Sequence, residues 1–239
     1  MHPVSLRCSS VEYSRYSPSS RLARRAPQRS RATPYLRTRA LAARGVVVGE
    51  RPSTSHREAL ERVDVPGPAL ASLARYLDLV ERWSQRINLT AARSPDQRVS
   101  TLIRSALAAE PQVEPPSLLD IGSGAGSPGL VLALLRVELS VTLLEPRSRR
   151  WAFLREASRV LGRGDIRVEA CRHDQWEGPA ARTVTLRGLR LPAAEIARCC
   201  QAGGRVVVIG NLPVPLEPLE LEHSDRESAV HSLRCRCST

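Results

Sequence analysis

The chain contains no lysine: every one of its 36 Lys-or-Arg positions is arginine. The uniform choice reads as codon bias toward a GC-rich genome, and it suits an RNA partner because arginine pairs bidentately with phosphate. Aromatic residues make up only 3%, so a core has to rest on Leu, Val, Ile and Ala. No apolar run approaches the ~18 residues of a membrane helix; the longest, Leu130–Leu135, is far too short, so no membrane association is expected. Six cysteines stand at positions 8, 171, 199, 200, 235 and 237, with no C-x-x-C pair. That spacing argues against a zinc site or a disulfide scaffold and fits reduced cytosolic thiols, so no metal is expected. An apolar secretory core is missing as well, so a cytoplasmic location is expected.

Acidic residues are nearly absent from the beginning of the chain. Residues 1–49 hold ten Arg against one acid, Glu12, and so carry +9 of the net +12. Residues 1–60 are rich in Arg, Ser and Pro without apolar periodicity, and are expected to form a disordered tail. Three readings fit its composition. The preferred one is translation from an upstream start not normally used; the others are a basic RNA-binding arm and an organelle transit peptide.

Order is expected to begin near Pro68. Leu70, Leu73, Leu77, Val80 and Ile87 recur at helical steps and predict a helix of about five turns. Ser94-Pro95-Asp96-Gln97 has the spacing of a capping box with Pro at the first helical position, ahead of a second amphipathic helix through Leu107. These two helices define a segment 66–110. From residue 115 to 239 strands and helices alternate. Strands are predicted at Ser117–Ile121, Ser140–Leu144, Ile166–Ala170, Thr183–Leu186 and Arg205–Ile209, with a final hairpin near Leu219–Glu222 and Ala229–Arg236. Helices are predicted at Pro128–Val137, Arg149–Leu161 and Pro192–Gln201. The pattern predicts an α/β fold: a doubly wound, mostly parallel, Rossmann-like sheet with an N-terminal helical extension.

The chemistry is concentrated at Asp120-Ile121-Gly122-Ser123-Gly124-Ala125-Gly126, between the first strand and its helix. Glycines permit a tight turn and close approach of a ligand to the backbone, and the helix start offers free N–H groups to a carboxylate. Glu145 ends the next strand, where an acid accepts ribose hydroxyls in adenosine-binding sheets. Gly122-x-Gly124-x-Gly126 led by Asp120 differs from the Gly-x-Gly-x-x-Gly of dinucleotide sites and is more typical of S-adenosylmethionine sites. A dinucleotide and a purely structural turn are the alternatives. Arg147, Arg149 and Arg150 stand at the start of a helix, against its dipole; a phosphate partner or drift in an Arg-rich chain would each account for them.

Trp83-x-x-x-x-Asn88-Leu89-Thr90, the turn Leu118–Gly129 with its Gly126-Ser127-Pro128-Gly129 extension, and Leu143-Leu144-Glu145 followed by Arg149-Arg150 and Phe153-Leu154-Arg155 together resemble the RsmG (GidB) family. These are bacterial 16S ribosomal RNA guanine-N7 methyltransferases. The resemblance runs from about Leu70 to Gly210. It implies a class I methyltransferase-like fold, S-adenosylmethionine as donor, and 16S rRNA or the small ribosomal subunit as partner; a monomer is expected. It assigns Gly122, Ser127 and Glu145 to donor binding, beside Asp120, Gly124 and Gly126 of the turn already read as the donor site. His173 and Asp174 match positions flanking the adenine, and Arg187 matches the arginine of the reaction centre, also beside the donor. Arg172, with Arg147, Arg149 and Arg150, falls on the RNA side.

The chain departs from the family in several places. Thr101-Leu102 replace an Arg-His pair, Ser105 replaces an acid, Gly210-Asn211 replace a Lys-Gly step, and Leu186-Arg187-Gly188 replaces Ser-Arg-Ala. These changes fall more on the RNA side than in the donor pocket. They leave two alternatives open: a diverged, non-catalytic donor- or RNA-binding paralogue, and a methyltransferase of another substrate.

Overall fold

The computed structural model describes residues 53–236. The basic tail up to residue 52, and Cys237, lie outside the described residues. Ser117–Ile121 (β1) is a short apolar run, as expected of a strand covered on both faces, and it lies inside a seven-stranded sheet. Its neighbours β2 (Ser140–Leu144) and β4 (Ala181–Arg187) are parallel to it. β3 (Arg167–Glu169) lies outside β2 and β5 (Cys200–Ile209) outside β4, again parallel. A closing hairpin of β6 (Leu219–Asp225) and β7 (Val230–Cys235) places β7 antiparallel against β5 and leaves β6 at the edge. The order is β3-β2-β1-β4-β5-β7-β6. The chain builds outward from β1 through β2 to β3, then returns to β4. The crossovers after β1 and β4 therefore part in opposite directions and open a crevice at the carboxyl ends of the strands, where doubly wound sheets bind ligands.

Two apolar layers cover the sheet. Side chains alternate along β1, so Leu118 joins one layer while Leu119 and Ile121 join the other. The first layer is filled by α1 (Thr54–Glu61), α2 (Gly67–Ser84), α4 (Gly129–Leu135) and α5 (Ser148–Val160). It also receives α3, which runs as an α-helical start Pro95–Arg98, a π-helical middle Val99–Arg104 and an α-helical end Ser105–Ala109. The Ser94–Gln97 capping box is present at its start. The second layer holds α6 (Ala193–Ala197).

Two expectations are corrected. Pro68 is preceded by a helix, α1, which lies mostly within the 1–60 segment expected to be a disordered tail. Its buried face is carried by His56, Ala59 and Leu60, so a search for apolar periodicity passes over it. His56 is fully buried, and its Nδ1 lies 2.6 Å from Asp78 Oδ1 on α2, which fixes the helix in place. Secondly, α6 stops at Ala197, and Cys200-Gln201-Ala202 belong to β5. The strand continues through an irregularity at Gly203, whose φ is +66°, and Gly204, where a Cβ would lie 2.8 Å from the Arg182 carbonyl oxygen. Only glycine fits there.

Candidate active site

The turn after β1 has Gly122, Gly124 and Gly126 at φ of +70°, +53° and +96°, a region that L side chains rarely adopt. The Gly122 and Ser123 amides donate to the Leu144 carbonyl at 2.9 and 3.0 Å, tying the turn to the end of β2. Glu145, the next residue, is 3% exposed. Its Oε2 accepts from the Gly124 amide and its Oε1 from the Arg147 amide, both at 2.9 Å. The expected ribose acid and the expected glycine turn are thus in direct contact.

Asp120 is completely buried beneath the turn. Its Oδ1 accepts from Thr185 Oγ1 of β4 at 2.7 Å, while Oδ2 is buried without a hydrogen bond. Burial pushes the carboxyl up to about 6, against the opposing pull of Thr185, Ser123, the Gly129 amide and the Arg187 charge. Helix α4 starts so close to it that a Cβ on Gly129 would lie 2.5 Å from the Asp120 Cβ. A buried carboxylate with an oxygen left without a hydrogen bond is costly to keep ionised.

Arg187, at the end of β4, reaches back over the crevice. One of its guanidinium nitrogens donates to Ser127 Oγ at 3.1 Å, and Ser127 donates to the Leu102 carbonyl of the π-helical turn at 2.6 Å. Partial burial lowers the arginine's proton affinity, and the nearby Tyr76 and Asp120 raise it. Tyr76, fully buried on α2, donates to the Ala125 carbonyl at 2.8 Å. Burial raises its phenol well above the ordinary value.

The structure therefore brings together Asp120, Gly122, Gly124, Gly126, Ser127, Glu145 and Arg187. It directs two other candidate side chains elsewhere. His173, in a short 3-10 turn after β3, is buried with Nε2 at 2.5 Å from Glu195 of α6. Asp174 is exposed and bonded to Arg172 at 3.2 Å. Of the arginines at the start of α5, Arg147 is its N-cap and Arg149 is exposed. Arg150 donates to the Asn88 carbonyl at 2.9 Å and lies over the turn, 3.5 Å from where Gly124 would carry a Cβ. Sequence reasoning missed Tyr76 and Thr185. Thr185, a polar residue inside a buried strand, was the available signal.

These features fit S-adenosylmethionine. A carboxylate stands where ribose hydroxyls bind, glycines leave the backbone open, and a buried acid underlies the turn. A doubly wound sheet of this order with such a turn at its switch point defines a class I methyltransferase dependent on S-adenosylmethionine. The family model described as GidB, rRNA small subunit methyltransferase G, matches residues 69–209, and the chain belongs to that family. It is 39% identical over 154 residues to the ribosomal RNA small subunit methyltransferase G of Alkalilimnicola ehrlichii, covering 62% of this chain and 70% of that one. It is 36% identical over 168 residues to the protein of the same name from Xanthomonas campestris pv. campestris (strain 8004), covering 69% and 79%. Among solved structures, a ribosomal protein L11 methylase from Lactobacillus delbrueckii subsp. bulgaricus is similar at 13% identity and a TM-score of 0.44, covering 56% of this chain and 77% of that one.

Proposed function

We propose that this chain methylates N7 of a guanine in 16S ribosomal RNA. The observation that carries this reading is the contact of Arg187 with Ser127 above the glycine turn, inside the segment matched by the family. S-adenosylmethionine supplies a methyl group on a positively charged sulfur. Glu145 would hold the ribose hydroxyls, and the Asp120 carboxyl beneath the turn would attract the amino group of the methionine part. Arg187, fixed by Ser127, orients the base or its phosphate. Guanine N7 is a bare acceptor, so its lone pair forms the N–C bond while the C–S bond breaks and sulfur keeps the electron pair. No proton has to leave, so no general base is required. The residues act by holding the reacting atoms in line, an effect that contributes roughly 7–11 kcal/mol. In this reading Arg147, Arg149, Arg150 and Arg172 face RNA phosphate, the backbone of His173-Asp174 stands near the adenine end while their side chains turn to Glu195 and Arg172, and the protein works as a cytoplasmic monomer. Among the described residues no helix is long and apolar enough to cross a membrane.

One observation favours a second reading, donor binding without turnover. Where the family has an Arg-His pair, the Leu102 side chain is in the core and Thr101 is uncharged. The full chain incubated with methyl-labelled donor and small subunits lacking this modification separates the two. Label recovered as 7-methylguanosine in 16S RNA is the expected result. Donor binding without label would favour the second reading.

A further inference from the structure

A cleft of about 670 Å³ opens between the loop after β4 and the loop after β5. We propose that it receives the target guanine, with the Glu217 carboxylate reading the base and Arg190 taking the nucleotide's phosphate. The proposal rests on the guanine reading above and names residues that select that base.

Three observations support it. First, the cleft adjoins the donor turn through one side chain. Leu189 lines it, and the same side chain comes within 2.6 Å of the point where Gly122 would carry a Cβ. One leucine thus stands between the cleft and the glycine backbone. Second, its walls include Leu191, Leu212 and Val214, the last 91% exposed. Enzymes that act on a base hold it unstacked between apolar or aromatic side chains and read its Watson–Crick edge. Third, two opposite charges line the cleft without being spent. Neither Arg190 nor Glu217 forms a hydrogen bond or ion pair among the described residues. By contrast, Arg182, Arg205 and Arg234 all pair with Glu114.

The chemistry selects among bases. Guanine presents two neighbouring donors, N1–H and the N2 amine, on the edge away from N7. A carboxylate is acceptor-only and can take both. Adenine places an acceptor, N1, at the same height and would face the carboxylate with a lone pair. Glu217 comes from the loop after β5 and Leu189 from the loop after β4. A base spanning the two therefore presents N7 toward the donor side when its other edge is held by Glu217.

The test compares the full chain with Glu217→Gln, Glu217→Asp and Leu212→Trp, using hypomethylated small subunits and measuring both 7-methylguanosine formation and donor affinity. The expected result is a fall in kcat/KM of about 100-fold or more for Glu217→Gln, partial retention in Glu217→Asp, and strong loss when Leu212→Trp fills the cleft. Donor affinity should stay within about twofold in all three, which also shows that they fold. Glu217→Gln turning over within about threefold of the parent would overturn the cleft assignment while the proposed function stood. A parent chain that binds donor but forms no 7-methylguanosine would remove the reading on which the assignment rests.

Discussion

Replacing Asp120 by Asn should make the free protein more stable at neutral pH and a poorer binder of its donor. In the fold this carboxyl is raised from 3.8 to about 6. At about 1.4 kcal/mol per pKa unit, holding it ionised costs the folded state about 3 kcal/mol. The direction follows from proton binding. Between these two values the folded state holds the proton and the unfolded chain has lost it, so stability falls as pH rises through that window. Below it both states are protonated and the penalty is absent. Asn removes the charge and can still accept from Thr185 Oγ1, but its amide meets the site where Oδ2 has no partner. That exchange costs about 1 kcal/mol. The net gain at pH 8 is then about 1–2 kcal/mol, trimmed further because Arg187 loses an opposite charge. At pH 4 the variant should be no more stable than the parent. Urea denaturation of both proteins at pH 4 and pH 8 measures this, since all other carboxylates are shared and cancel in the difference. Equilibrium dialysis at pH 8 should show donor affinity reduced at least about tenfold. A stability difference that does not move with pH would refute the account of Asp120 as a buried, costly charge kept for a ligand.

Glu145→Gln should weaken donor binding by about 1.5–3 kcal/mol, because a charged acceptor for ribose hydroxyls is lost; unchanged affinity by dialysis would remove Glu145 from that role. Ser127→Ala deletes the bonds to Arg187 and Leu102 and should lower stability by about 1–3 kcal/mol. Methyl transfer should fall with it, and full activity would show that Arg187 needs no such anchor. His56→Ala, at a fully buried position bonded to Asp78, should cost about 2–3 kcal/mol in urea denaturation. No loss would mean that α1 adds nothing to the fold.

Much of the sheet was legible because its signals are local. β1 and β2 match their expected bounds, since each is an apolar run with sharp ends at a glycine turn or an acid. Glu145 and the turn could be read together from the spacing alone, and the two are in contact. What stayed hidden depends on distance along the chain. Thr185 meets Asp120 across 65 positions, and Arg187 meets Ser127 across 60. Those pairings exist because β4 returns beside β1, a fact of topology rather than of pattern. His173 shows the opposite limit. Its position after β3 was foreseen, but its side chain turns to Glu195, a partner supplied by α6. The missed helix α1 and the early start of β5 have local causes of an unfamiliar kind, a histidine serving as core and a glycine pair absorbing an irregularity.

Two hydrogen bonds that tie the donor turn to the helical layer, and a third that holds Arg150 over it, have a further consequence. Tyr76 of α2 holds Ala125, the π-turn carbonyl of Leu102 holds Ser127, and the Asn88 carbonyl holds Arg150 above Gly124. Residues 54–109 are therefore not a handle attached to a self-sufficient catalytic unit. They form one wall of it, and the two are expected to unfold together. Amide exchange in α2 and α3 would slow when donor binds, even though neither helix needs to touch it. Cutting the chain ahead of β1 would leave a sheet whose glycine turn has lost its back support.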